Sequence, residues 1–139
     1  MQDILLIDDS VSDRMLIKQA FDLTCADVRL HNAEDGEQGL AALEECPGIR
    51  LVLLDLNMPG MDGLEFLESL APETRACTAV LVLSSSQLPD DIHDAYQAGV
   101  NAYIPKPLDF DGYVQIAQGV QQCWLQTARL PPPERCVVR

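Results

Sequence analysis

The chain has few basic residues and lacks the features of a membrane or secreted protein. Only 9 of its 139 residues are Lys or Arg, against 22 Asp or Glu, and the formal charge is −13. Nucleic-acid binding depends largely on Lys and Arg contacts to phosphates, so we expect no nucleic-acid partner. No apolar run approaches the roughly 18 residues that span a bilayer. No basic segment opens the chain, so we expect a cytoplasmic protein without a signal peptide.

Familiar metal and cofactor motifs are also missing. The five cysteines are widely spaced and include no C-x-x-C, so we expect unpaired thiols and no zinc site. His31 and His93 have no ligand-like neighbours and are expected at the surface. No G-x-G-x-x-G follows the first apolar run, which argues against a dinucleotide- or flavin-binding module. With 47% hydrophobic residues, the chain is nevertheless expected to fold as one domain.

The most informative positive feature is the residue that follows each apolar run. The runs 4–7, 51–54, 79–83 and 102–105 are followed by Asp8 and Asp9, by Asp55, by Ser84 and by Lys106. In an open parallel α/β sheet the carboxyl ends of the strands share one edge, and ligands bind there. The pattern therefore predicts that three carboxylates, a hydroxyl and an ammonium meet at one edge.

Strand and helix patterns alternate along the chain. Strands are predicted over about 3–7, 26–31, 50–54, 79–83 and 101–105, and helices over about 11–24, 34–46, 62–70, 89–98 and 109–127. Ser10 with Asp13, and Asp62 with Glu65, are predicted caps, and Pro72 is predicted to end the third helix. Five βα units imply an α/β fold, a flavodoxin-like (βα)5 three-layer sandwich with a parallel five-stranded sheet of order 2-1-3-4-5.

Three carboxylates at one edge repel one another unless a cation lies between them. An oxygen-only ligand set with room for water favours Mg²⁺ as the cofactor. Phosphoryl transfer needs mainly alignment and charge stabilisation. Asp55, at the tip of the central strand, is then the natural nucleophile, with Lys106 as a mobile positive charge and Ser84 as a hydrogen-bond donor.

These residues occur in segments that resemble the receiver domain of two-component response regulators. The segments 6–10, 54–63, 83–85 and 103–108 read LIDDS, LDLNMPGMDG, LSS and YIPKPL. The resemblance covers about 3–127, so we expect a receiver domain over 1–128. The prolines at 131–133 predict an extended Pro-rich tail over 129–139. It implies an acceptor of phosphoryl groups from a sensor histidine kinase, which assists its own phosphorylation and dephosphorylation and is not a conventional turnover enzyme.

The resemblance also implies a role for each site residue. Asp55 is the expected phosphoacceptor, and Ser85 stands where the family often has Ala or Gly, which leaves the dephosphorylation rate open. The remaining expected roles are direct Mg²⁺ ligation by Asp9, ligation through water by Asp8, ligation through a backbone carbonyl by Asn57, phosphate sensing by Ser84 and Lys106, an aromatic switch at Tyr103, and a cis peptide bond before Pro107.

The last helix suggests which surface would contact a partner. The apolar stripe of Phe110, Tyr113, Val120 and Trp124 predicts a homodimer through the last strand and helix region, with a surface that changes on phosphorylation. We expect no output domain after the receiver, so the chain is expected to act by contact with a partner, to feed a further relay step or to drain phosphate from a kinase. The segment 122–132, QCWLQTARLPP, resembles the extension of small response regulators that work with bacterial phytochrome kinases.

Other functions remain open from the residues alone. A chemotaxis-type receiver or a phosphorelay intermediate would use the same site. A Mg²⁺-dependent phosphatase of the haloacid dehalogenase type also uses a strand-end Asp. That class needs a second acid two positions later, however, and Asn57 occupies that position.

Overall fold

A five-stranded parallel sheet forms the centre of the computed structural model, which describes residues 2–24, 27–58, 60–127 and 129–130. The strands are β1 (Gln2–Ile7), β2 (Val28–Ala33), β3 (Leu51–Leu54), β4 (Ala79–Ser84) and β5 (Ala102–Pro105). Their order is β2-β1-β3-β4-β5, and every pairing is parallel. The predicted flavodoxin-like three-layer fold is therefore confirmed.

Helices cover both faces of the sheet. They are α1 (Val11–Thr24), α2 (Gly36–Glu45), α3 (Gly63–Ser69), α4 (Pro72–Ala76), α5 (Pro89–Gln97) and α6 (Phe110–Gly119), which continues into a π-helical segment (Val120–Thr127). One core lies under α2, α3 and α5 and contains Leu5 and Phe66. The other lies under α1 and α6 and contains Leu6 and Phe21. Because β3 and β4 are covered on both faces, their sequences show no polar alternation.

Local signals in the sequence explain several of the helix ends. Asp62 and Glu65 form the predicted capping box at the start of α3. Pro89 occupies the first turn of α5, where its missing N–H is not needed. Gly60 and Gly99 have φ of 74° and 99°, the left-handed region that favours glycine. Pro59, which precedes Gly60, lies outside the described residues.

Three elements differ from the predictions. α3 ends at Ser69, and Pro72 begins the additional helix α4 instead of only ending a helix. Proline is well suited to a first helical turn, so the same residue can serve as a stop or as a start. β2 runs from Val28 to Ala33, later than predicted, because its register pairs Val28 with Gln2 of β1. The last helix widens to a π-helix at Val120, and Trp124 and Leu125 thereby both pack against the core that contains Leu6 and Phe21.

Residues 131–139 of the predicted tail lie outside the described residues. Among the described cysteines, Cys46 and Cys123 are free thiols. Cys77 is disulfide-bonded, contrary to the expectation of unpaired thiols. Within the described part of the chain, no helix combines the length and the apolar character that crossing a membrane requires.

Candidate functional site

The carboxyl ends of four strands meet at one edge of the sheet and bring the predicted residues together. Asp55 N–H donates to the carbonyl of Ile7 at 2.9 Å, which ties the end of β3 to the end of β1. Lys106 N–H donates to the carbonyl of Ser84 at 2.8 Å, which ties β5 to β4. Hydrogen bonds between neighbouring strands thus fix the backbone positions of Asp55 and Lys106. The site lies at the β1–β3 switch point, where the strand order reverses.

An acidic cluster forms the floor of the site. Carboxylate oxygens of Asp8, Asp9 and Asp55 all lie within 4.8 Å of one another; Asp8 and Asp55 are buried, whereas Asp9 is exposed. The donors are all oxygens, and the exposed position leaves access for a hydrated ion. Hard divalent cations prefer such ligands, so the residues fit an ion of the Mg²⁺ or Mn²⁺ type.

Lys106 supplies the positive charge next to this cluster. Its Nζ lies 2.8 Å from Asp13 Oδ2, 3.0 Å from Asp8 Oδ2 and 3.6 Å from Asp55 Oδ2, and its side chain is only 12% exposed. Burial lowers the pKa of the ammonium group, but hydrogen bonds to Asp13 and Asp8 and the charge of Asp55 outweigh it. The net pKa is raised, so the lysine stays charged at neutral pH.

The Asp55 carboxyl group responds in the opposite way. Burial raises its pKa to about 6, against the attraction of Lys106, and the charges of Asp8 and Asp9 contribute in the same direction as burial. The N–H of Asn57, which donates to Asp55 Oδ1 at 3.3 Å, partly offsets the rise. At pH 7 the group is still mostly ionised and can therefore act as a nucleophile.

The predicted switch residues contact one loop. Ser84 is fully buried, and its Oγ accepts a hydrogen bond from the Ser86 N–H at 3.2 Å. The half-buried Tyr103 donates its hydroxyl hydrogen to the carbonyl of Ser86 at 2.8 Å, and its N–H donates to the hydroxyl of Tyr96 at 3.2 Å. Ser84 and Tyr103 therefore share the backbone of Ser86, so a movement of that loop changes both contacts.

Sequence reasoning missed the main role of Asp13. The predicted cap is half formed, because the Asp13 N–H donates to Ser10 Oγ at 3.2 Å while the Asp13 carboxylate binds Lys106. Arg14, also missed, donates to the backbone carbonyl of Asp8 and pairs with Glu34 at 3.6 Å. The available signal was position: both residues are in the first turn of a helix that begins directly after the acidic pair.

The Lys106–Pro107 bond is trans, because no cis peptide bond occurs among the described residues, which include both partners. The expected cis bond was therefore wrong. Trans is favoured at X-Pro bonds by roughly 0.5–1 kcal/mol. Lys106 donates its N–H to the carbonyl of Ser84, and its ammonium group reaches the carboxylates.

Two residues of the predicted dimer surface belong to the core. Tyr113 is 4% exposed and Val120 is 2% exposed, so both were wrong as surface residues. The helix turns them towards the sheet, where burial and the nearby Asp13 raise the pKa of Tyr113 to about 12. Phe110 and Trp124 are half-buried and pack against the same core.

Comparisons with known proteins agree on one family. The model of the response regulator receiver domain matches residues 4–118. The response regulator Rcp1 of Synechocystis sp. (strain ATCC 27184 / PCC 6803 / Kazusa) is 33% identical over 136 residues, covering 92% of each chain. The probable methanogenesis regulatory protein FilR2 of Methanothrix harundinacea (strain 6Ac) is 35% identical, covering 94% of this chain and 88% of that protein.

Solved structures of the same kind superpose over nearly the whole chain. The phosphorylated cyanobacterial phytochrome response regulator RcpA has a TM-score of 0.86 and 33% identity, covering 94% of this chain and 99% of that one. The Mn²⁺-bound form of Rcp1 has a TM-score of 0.84 and 32% identity, covering 95% of this chain and 100% of that one. Both likenesses extend past the residues that the family model matches.

Proposed function

The chain belongs to the response regulator receiver domain family, and on that premise we propose that it accepts a phosphoryl group on Asp55. The observation that supports this acceptor is the placement of its carboxylate, 3.6 Å from the Lys106 ammonium and within 4.8 Å of carboxylate oxygens of Asp8 and Asp9. Asp55 lies at the end of a fully buried central strand, which holds it in place.

In the proposed reaction an oxygen of the ionised Asp55 attacks the phosphorus of a phosphohistidine on a partner kinase. The O–P bond forms as the N–P bond breaks, and the leaving imidazole takes up a proton. Lys106 places positive charge on the transferring oxygens, and the Ser84 hydroxyl donates a hydrogen bond to one of them. Such a phosphoacceptor assists its own phosphorylation and dephosphorylation but is not a turnover enzyme.

The proposed cofactor is Mg²⁺, held by the carboxylates of Asp9 and Asp55, by the backbone carbonyl of Asn57 and, through water, by Asp8. When bound, it supplies charge that offsets the repulsion between the carboxylates and the incoming phosphoryl oxygens. Support comes from the all-oxygen donor set of the acidic cluster and from the likeness to Rcp1, whose solved form binds Mn²⁺.

Signalling is proposed to proceed through the shared loop at Ser86. A phosphoryl group on Asp55 would attract the Ser84 hydroxyl away from the Ser86 N–H, and Tyr103 would exchange its contact with the Ser86 carbonyl for the space behind Ser84. The phosphoryl group can favour this state only through the extra contacts that it makes there. The surface of β5 and α6 would change as a result.

We further propose a cytoplasmic protein with a receiver over 1–128 and a tail over 129–139. Its proposed partners are a phytochrome-type sensor kinase and a second copy of the chain, bound through the last strand and helix region. The likeness to RcpA, a cyanobacterial phytochrome response regulator, supports the kinase class. FilR2 is named for methanogenesis, so a kinase that responds to another signal is the alternative.

The acceptor is tested with Asp55→Asn, incubated with a small phosphodonor and Mg²⁺. We expect wild type to incorporate one phosphoryl group and the variant to incorporate none, measured by intact mass or by a Phos-tag gel. Asp90→Asn is the matched control, since it makes the same chemical change at an exposed acid in the first turn of α5. Equal labelling of Asp55→Asn and wild type would exclude Asp55 as the acceptor.

A further inference from the structure

A second cluster of metal-binding side chains lies towards the opposite edge of the sheet. Asp3 in β1, His31 in β2 and Cys46, which follows α2, each offer one ligand atom, and these atoms lie within 4.8 Å of one another. Asp3 is five residues from Asp8, about 16 Å along an extended strand, so the cluster is separate from the phosphoacceptor site. We propose that Asp3, His31 and Cys46 form a binding site for Zn²⁺.

Two of the three distances between donor atoms are close to those around a tetrahedral ion. His31 Nε2 lies 2.9 Å from Asp3 Oδ1 and 3.9 Å from Cys46 Sγ. Zn²⁺ with ordinary bond lengths places its N and O ligands about 3.3 Å apart and its S and N ligands about 3.6 Å apart. Both distances therefore lie within about 0.5 Å of the requirement, which small side-chain rotations can supply.

The three donors are attached to rigid backbone. In the parallel register Asp3 pairs with Arg29 and Leu5 pairs with His31, so Asp3 and His31 are diagonal neighbours on one face of the sheet. Cys46 is the C-cap of α2, and its N–H donates to the carbonyl of Ala42 at 2.9 Å. The negative end of the α2 dipole thus lies next to the cluster, which favours a bound cation.

Charge and access also suit this ion. A thiolate and a carboxylate together neutralise a divalent cation, while a neutral imidazole adds the third ligand. The side chains of His31 and Asp3 are 26% and 21% exposed, which leaves room for a water as the fourth ligand. Besides His31 itself, Arg29 pairs with Asp3 at 3.8 Å, and this arginine is 61% exposed. Such a surface pair contributes little, so an entering metal can replace it.

The donor chemistry separates this cluster from the acidic one. Sulfur and imidazole ligands favour Zn²⁺, whereas Mg²⁺ prefers oxygen ligands alone. The two ends of β1 would therefore hold different cations at the same time. No C-x-x-C or His-rich spacing in the sequence predicts this cluster. Its members come together only through the pairing of β1 with β2 and the end of α2.

The direct test is calorimetric titration of the protein with Zn²⁺ in saturating Mg²⁺, which occupies the acidic cluster. We expect one Zn²⁺ per wild-type chain and affinity at least about 100-fold lower in Cys46→Ser and His31→Gln, since each variant removes a ligand. Cys123→Ser and His93→Gln are the matched controls, at an exposed free cysteine and an exposed histidine, and should bind as wild type does. Equal affinity in Cys46→Ser and wild type would overturn the proposal.

A second measurement needs no variant and reports the ligand type. Wild-type protein loaded with Co²⁺ in saturating Mg²⁺ should show thiolate-to-cobalt charge-transfer absorption, which oxygen ligands cannot produce. Cys123→Ser should retain that absorption and Cys46→Ser should lose it. If the wild-type spectrum shows only the weak bands of oxygen-ligated Co²⁺, the site does not exist as proposed.

Discussion

The two ends of β1 carry acids with different surroundings. At its carboxyl end, Asp8 and Asp9 join Asp55 and Lys106 in a cluster of oxygens with one ammonium. Near its amino end, Asp3 joins an imidazole and a thiol. The first cluster follows directly from the ends of neighbouring strands, and the second depends on a diagonal contact and a helix end. A sequence pattern therefore identifies a site only when the fold brings the same position of each successive strand, such as its carboxyl end, to one place.

The largest effect is expected from removing the cation at the carboxyl end. Lys106→Ala leaves buried carboxylates without their ammonium, so we expect a loss of about 3 kcal/mol in the free energy of unfolding in metal-free buffer. Urea denaturation with a chelator measures it. Lys18→Ala, which breaks an exposed pair with Asp22, is the control and should cost no more than about 0.5 kcal/mol. A loss below about 1 kcal/mol for Lys106→Ala would contradict the proposed charge balance.

The raised pKa of Asp55 predicts a pH-dependent gain from its substitution. The folded value is about 6 and the ordinary value is 3.8, so folding favours the protonated group. The associated stability is fully present below pH 3.8 and is lost as the pH rises through 6. Asp55→Asn should therefore be more stable than wild type by up to about 3 kcal/mol at pH 7, because each unit of pKa corresponds to about 1.4 kcal/mol.

This gain should shrink towards zero as the pH falls from 6 to 4, and urea unfolding of both proteins at pH 7, 5 and 4 with a chelator measures it. Asp90→Asn again serves as the control, since its carboxyl is exposed and it should show no such trend. A constant difference between Asp55→Asn and wild type across this range would show that the charge of Asp55 is not the cause.

Metal addition compares the two ends of β1 directly. A ligand at 100 times its Kd stabilises a folded protein by about 2.7 kcal/mol. Zn²⁺ in saturating Mg²⁺ should accordingly raise the Tm of wild type but not of Cys46→Ser. Mg²⁺ should raise the Tm of Cys46→Ser but not of Asp9→Asn. Loss of both responses in a single variant would mean that the two clusters are not independent.

The smallest effect is expected from substituting Asp13, which should change the rate of phosphorylation. Its carboxylate holds Lys106 Nζ at 2.8 Å, closer than Asp55 does, and so competes for the charge that the transferring phosphoryl group needs. Asp13→Asn should speed phosphorylation by a small donor about threefold to tenfold, or about 1 kcal/mol in barrier height. Asp22→Asn, at an exposed acid on the same helix, should not change the rate. A slower Asp13→Asn protein would instead mean that Asp13 positions the lysine for transfer.

Much of the fold was accessible from sequence because each signal was local. The capping box at Asp62 and the buried runs of β3 and β4 depend on residues next to one another. Pro72 was ambiguous for a physical reason, since proline is compatible both with the residues after one helix and with the first turn of the next. Tyr113 and Val120 were misplaced because helical periodicity defines an apolar stripe but not which neighbour covers it.

The sequence by itself determined the alternation of strands and helices, and with it the edge where Asp8, Asp9, Asp55, Ser84 and Lys106 gather, because parallel strands point their carboxyl ends one way. Only the tertiary structure decided that Asp13 binds Lys106 and that Asp3, His31 and Cys46 lie next to one another. Those contacts depend on strand register and on where a helix ends over the sheet. Long-range packing sets both of these, and no spacing along the chain encodes them.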